Sequence, residues 1–230
     1  MTRSAVDATV NTTAWEHIAD AFPAGQREGI PPARVEWTPY PGYGPGTELL
    51  GDLTAIKVIE LGCGTGDNLA CVASAGAAVS VGVDISAARI AQARARWGNL
   101  PGVSWRTADA ADALASDDDG PYDVCYSVFG ALWYADPQQL LPRVAARLRP
   151  GGLLVFSTGC PRPCQLAGRR VDNLTLHDGT RLPVIQYAYP LSVWKTLLDT
   201  AGFTVGPATE LPPPGGDRLP TLLLRAHRRS

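Results

Sequence analysis

The chain has 230 residues, 45% of them hydrophobic and 18% charged, with a formal net charge of -2. That composition supports one large globular domain and excludes a disordered chain. The basic excess of a nucleic-acid or anionic-membrane partner is missing, and no apolar run nears the roughly 18 residues that span a bilayer.

The first dozen residues are small and polar and are expected to be mobile; they have no apolar core of the secretory type. The five cysteines are odd in number and show no paired framework. These features make a cytoplasmic location the expectation. Trp15, Ile18, Ala19 and Phe22 fall at i, i+3, i+4 and i+7, a short amphipathic helix that Pro23 ends. Residues 23–47 are rich in proline and glycine and read as a loop, yet they carry Trp37, Tyr40 and Tyr43. Apolar surface on such a segment suggests a lid, so residues 1–50 are set apart from a main domain of residues 51–230.

From residue 56 the pattern becomes regular. Ile56–Leu61 reads as a buried strand, and Asn68–Ala75 as a helix closed by Gly76. Ala78–Val83 is a second strand, and Ser86 can cap a helix running to Trp97. Val103–Thr107 is a third strand; a turn at Asp117–Pro121 leads into a fourth, Tyr122–Ser127. Pro137–Leu148 is a helix, Leu153–Ser157 a fifth strand, and residues 159–189 an irregular insert expected on the acceptor side. A helix over Leu191–Ala201 precedes strands at Phe203–Gly206 and Leu222–Ala226. Alternating strands and helices imply an α/β fold: one doubly wound, Rossmann-like domain with a seven-stranded, mostly parallel sheet.

Three signals fall at the carboxyl ends of successive strands, where open α/β sheets bind ligands. They are the loop Glu60-Leu61-Gly62-Cys63-Gly64-Thr65-Gly66, the pair Asp84-Ile85, and Ala108-Asp109-Ala110. Singly, each has a plain structural reading as a turn or a helix cap. Together they suggest a nucleoside. Asp84 follows Gly62 at about the interval at which a carboxylate meets ribose hydroxyls. Ile85 can lie on an adenine, and Asp109 with the Ala110 amide can read its edge. No lysine follows the glycines, so this is not a phosphate loop, and Glu60 would repel a pyrophosphate.

The set E-L-G-C-G-T-G, V-D-I-S, A-D-A, Y-D-V-C-Y-S and L-R-P-G-G resembles the class I S-adenosylmethionine-dependent methyltransferases of small-molecule type. The match is close over residues 56–157 and looser to 226. The resemblance implies S-adenosylmethionine as cofactor. It places Glu60, Gly62, Cys63 and Gly64 at the methionine part, Asp84 on the ribose, and Ile85, Asp109 and Ala110 at the adenine. Ser127 falls where the family's backbone meets the methionine amino group. Two departures stand out. Phe22 occupies the place of a family tyrosine, and Leu132 that of a family histidine, so the usual built-in base is absent. No metal is expected, since Cys160 and Cys164 lack a second pair.

Of the three histidines, His17 lies about 200° around its helix from Trp15, off the apolar face. His227 sits in a basic tail, and His177 in the insert reads as a surface residue. Trp37, Tyr40, Phe129 and Trp133 are the candidates for an acceptor pocket. The function expected is methyl transfer to a small molecule, more often at oxygen than at nitrogen or carbon, in secondary metabolism. Two rivals are an NAD-dependent oxidoreductase and a non-catalytic nucleoside-binding regulator.

Overall fold

The computed structural model describes residues 2–23, 29–116, 120–161, 167–215 and 219–230. The Asp117–Asp119 part of the expected turn and Cys164 lie outside these residues. Seven strands form one sheet: β1 (Lys57–Leu61), β2 (Val79–Asp84), β3 (Val103–Thr107), β4 (Tyr122–Val128), β5 (Leu148–Gly159), β8 (Phe203–Leu211) and β9 (Thr221–Arg228). Their order is β3-β2-β1-β4-β5-β9-β8. The first five run parallel, while β9 is antiparallel to both neighbours. This is the single α/β domain expected from the sequence.

The helices divide between the two faces because their apolar stripes do. On one face α2 (Asp67–Ser74) and α3 (Ala87–Trp97) bury Leu69, Val72, Ile90 and Trp97 against Val58, Tyr126 and Val155. On the other, α4 (Ala110–Ala115), α6 (Pro137–Arg147) and α7 (Leu191–Thr200) bury Leu114, Leu140, Val144 and Trp194 against Ile59, Cys125 and Phe156. Such continuously apolar strands are what a sheet covered on both faces requires. Register then lines up the strand ends: Leu61 pairs with Val83 and Asp84 with Thr107. The topological switch lies between β1 and β4, so a site opens beside Leu61.

Two expectations are corrected. The first dozen residues are not mobile coil: α1 runs from Arg3 to Ala21, capped by the Thr2 hydroxyl. Its buried face starts with Asp7 and Asn11 and continues through Ala14 and Ile18. The first two positions of the stripe are polar, so hydrophobic periodicity begins only at Ala14. The insert is not irregular either. Strands β6 (Gly168–Thr175) and β7 (Arg181–Ala188) make an antiparallel hairpin. Its turn is set by Gly179, at φ 86°, and by Asp178, whose carboxylate accepts the Thr180 amide at 2.9 Å.

That hairpin and α1 hold each other. Arg169 donates two hydrogen bonds to Asp7, at 2.7 and 2.5 Å, and the Tyr187 hydroxyl donates a third at 2.7 Å. Burial pushes the Asp7 carboxyl up, but Arg169 and Tyr187 overcome it and hold the group below its ordinary value. Asn11 accepts the Ile185 amide at 2.7 Å and donates to the Ile185 and Tyr134 carbonyls. At the other end of α1, Glu16 accepts the Ala87 and Ala88 amides at the start of α3. No helix among the described residues is long and apolar enough to cross a membrane.

Candidate active site

A cavity of about 910 Å3 lies at the carboxyl ends of β1, β2, β3 and β4, roofed by α1. Its size falls in the range of small-ligand sites. Glu60, Gly62, Cys63, Gly64, Asp84, Ile85, Asp109 and Ala110 all line it. The structure therefore brings together eight residues picked out from three separate stretches of sequence.

The loop after β1 explains its three glycines differently. All have positive φ: Gly62 81°, Gly64 52° and Gly66 77°. A Cβ on Gly62 would lie 2.6 Å from the Gly130 Cα, and one on Gly66 would strike the Trp105 ring at 2.3 Å. A Cβ on Gly64 would meet nothing within 4 Å, although Gly64 lines the cavity. So two glycines serve packing, and the middle one leaves bare backbone facing open space where a ligand can approach.

Asp84 anchors this loop. Its Oδ2 accepts the Gly64 amide at 2.8 Å and its Oδ1 the Ser86 amide at 2.9 Å. Ser86 in turn caps α3, as the sequence suggested. Burial pushes the Asp84 carboxyl up, against these two amides. Asp109 caps α4 through the Ala111 amide at 2.8 Å, and still lines the cavity. Glu60 is 2% exposed and accepts the Tyr126 hydroxyl at 3.0 Å. Burial holds its carboxyl well above the usual range, and the nearby charge of Asp84 adds to that.

These features answer to the cofactor that the sequence implies. Gly64, Asp84, Glu60 and Ile85 all line the one cavity. Ser127 is fully buried, and its hydroxyl donates to the Leu61 carbonyl at 2.7 Å. Its neighbour Val128 is the residue that lines the cavity.

The acceptor side needs more correction. Of the four candidates, Phe129 lines the cavity, whereas Trp37, Tyr40 and Trp133 do not. Trp37 is wholly buried, its indole donates to the Gly46 carbonyl at 2.9 Å, and it packs on Tyr126. Tyr40 gives its hydroxyl to the Leu219 carbonyl at 2.9 Å. Trp133 stands behind Phe129, ring centroids 5.2 Å apart. Phe129 itself has φ 45°, an outlier for a bulky residue, and its backbone N–H donates a hydrogen bond to the Ser157 carbonyl at 3.0 Å.

Further residues line the cavity, and of these Asp7, Asn11 and Asp136 gave no sequence signal. Asp7, Asn11 and Trp15 of α1 reach the cavity, as do Tyr134 and Asp136 beside α5 (Ala131–Tyr134). Trp15 meets Tyr134 edge to face at 5.1 Å. None of the described hairpin residues lines the cavity; β7 packs against α1 and α5. No histidine lines it among the described residues. His17 is exposed and bonded to the Thr13 carbonyl, and His177 is exposed with its ring 5.0 Å from Phe22. Among the described residues no cluster fit for a metal occurs.

Comparison with known proteins agrees with this geometry. Residues 58–152 match the family model described as a methyltransferase domain. The trans-aconitate 2-methyltransferase of Variovorax paradoxus is 38% identical over 116 residues, 49% of this chain and 43% of that protein. The ubiquinone biosynthesis O-methyltransferase of Bordetella avium is 32% identical over 130 residues, 56% of this chain and 50% of that protein. The chain thus spans about half the length of the curated relatives it matches. The solved CcbJ methyltransferase of Streptomyces caelestis covers 96% of this chain and 99% of its own with a TM-score of 0.64, at 15% identity, which shows the fold alone. The solved S-adenosylmethionine dependent methyltransferase of Mesorhizobium loti shares 25% identity and a TM-score of 0.62, over 78% of this chain and 94% of its own. The glycine loop therefore sits inside a stretch that matches a methyltransferase domain, on the fold of solved S-adenosylmethionine-dependent methyltransferases.

Proposed function

We propose that this chain transfers a methyl group from S-adenosylmethionine to a small organic acceptor, with oxygen ahead of nitrogen or carbon as the atom methylated. The observation that carries the reading is one continuous cavity. It joins the strand-end acids and the bare Gly64 backbone to an aromatic wall of Phe129, Tyr134 and Trp15. Bound there, S-adenosylmethionine supplies a sulfonium methyl that is already activated. The protein has to hold the nucleoside, align the acceptor and exclude water. Asp84 and Asp109 hold, Phe129 and Tyr134 align, and residues 1–50 close the site as a lid. No side chain need act as an indispensable base.

The acceptor of the trans-aconitate relatives is not carried over. A carboxylic acid asks for free cations, and the two arginines that line the cavity among the described residues already have partners. Arg96 pairs with Asp67 at 3.0 Å, and Arg89 donates to the Phe22 carbonyl and to Gln92. A tailoring step in secondary metabolism is supported by the bias toward arginine, alanine, glycine and proline, with only Lys57 and Lys195 as lysines, which fits a GC-rich genome. The test is incubation with labelled S-adenosylmethionine and a metabolite extract, followed by mass spectrometry for products heavier by one CH2. Tight binding of the cofactor product, S-adenosylhomocysteine, with no labelled product from any extract would favour the non-catalytic regulator. Binding of NAD in its place would favour the oxidoreductase.

A further inference from the structure

Asp136 stands apart from the other acids on the acceptor side. Asp7 is matched by Arg169 through two hydrogen bonds. Glu36 lies 3.6 Å from Arg34 and accepts the Gly42 amide. The Asp136 carboxylate caps α6 through the Gln138 amide at 3.0 Å and lies 3.5 Å from the Gln139 amide nitrogen. No cation pairs with it among the described residues. It nonetheless lines the cavity, two residues from Tyr134, whose ring meets Trp15. Asn11 fixes that corner by donating to the Tyr134 carbonyl at 2.9 Å.

We propose that the acceptor carries a positively charged amine, and that Asp136 and the Tyr134–Trp15 wall receive it. This rests on the reading of the cavity as a methyltransferase site and adds the charge of the substrate. A carboxylate beside aromatic faces attracts an ammonium through both the ion pair and the ring quadrupoles. An anionic acceptor would face Asp136, which no cation pairs with among the described residues, and like-charge juxtaposition is a strong means of rejection. The amine serves as a handle, and the methylated atom lies elsewhere on the acceptor.

Calorimetry on the complex with S-adenosylhomocysteine tests this with three indoles of one shape: tryptamine, tryptophol and indole-3-propionate. Tryptamine should bind at least about tenfold tighter than the propionate, a difference of about 1.4 kcal/mol. In Asp136→Asn, which keeps a capping side chain on α6, that ratio should fall below about threefold. Equal or tighter binding of the propionate, an unchanged ratio in Asp136→Asn, or no binding by any of the three overturns the proposal. Failure of S-adenosylhomocysteine itself to bind would instead overturn the methyltransferase reading, so the two failures are distinct.

Discussion

Replacing Asp84 with alanine removes the acid that joins the glycine loop to the start of α3. The carboxylate is expected to accept two ribose hydroxyls, and hydrogen bonds to a charged group contribute about 1.5–3 kcal/mol each. Two of them amount to about 3–6 kcal/mol, or roughly a hundredfold in Kd at the lower bound. The Gly64 and Ser86 amides lose their acceptor as well, which loosens the loop and adds to the loss. The empty protein should suffer less. Burial raises the Asp84 carboxyl, so the ionised group works against the fold at neutral pH, and its removal offsets part of the lost bonding. Titration calorimetry with S-adenosylhomocysteine, beside a thermal melt of the empty protein, separates the two effects. Affinity should drop at least roughly a hundredfold, with Tm moving by less than about 4 °C, the shift that 1 kcal/mol gives in a chain of this size. A change in affinity of less than about twofold would show that Asp84 does not hold the ribose.

Glu60→Gln should melt higher than the parent at about pH 8 when empty, with the gap narrowing toward about pH 5. The Glu60 carboxyl is raised in the fold, so its contribution is present below its unfolded pKa and fades as pH rises through the folded one; a pH-independent gap in the melts would refute this. Trp133→Ala should act through stability, at about 3–5 kcal/mol for a buried tryptophan, and urea unfolding that shows no change would remove it from the core. His177→Ala should lower kcat less than tenfold, below the 10²–10⁴ range of general base catalysis; a hundredfold loss with cofactor affinity intact would place the base on the hairpin. If residues 1–50 close over the site, S-adenosylhomocysteine should slow amide exchange along α1. Equal exchange rates with and without it would argue for a fixed roof.

The elements most legible in the sequence were those with an apolar pattern or a turn signal of their own. Strands β1 to β5 carry runs such as Val58-Ile59-Glu60-Leu61, and Ser86 and Gly76 mark helix ends. The cofactor side was equally readable, because glycines and acids at strand ends have few other reasons to recur together. What escaped notice relies on polar burial. Asp7 and Asn11 occupy the positions where leucines would announce a helix. The hairpin hides Pro183 and Gln186 among its apolar residues, and β6 is largely exposed. A two-stranded ribbon tolerates such a proline, since each strand is an edge. On the acceptor side, aromatic identity alone could not separate Trp37, buried under its own loop, from Phe129, which its left-handed backbone turns toward the cavity.

The polar seam of α1 also bears on how the chain reaches its fold. Asp7 and Asn11 find their partners 123 to 180 residues later in the sequence. During synthesis α1 therefore leaves the ribosome long before β7 exists to receive it, and contacts so distant in sequence form late. A helix with leucines at those positions would wait with an adhesive stripe in water, open to aggregation. An aspartate and an asparagine stay hydrated until Arg169, Tyr187 and the Ile185 backbone arrive. The roof of the site is thus built from residues that tolerate delay.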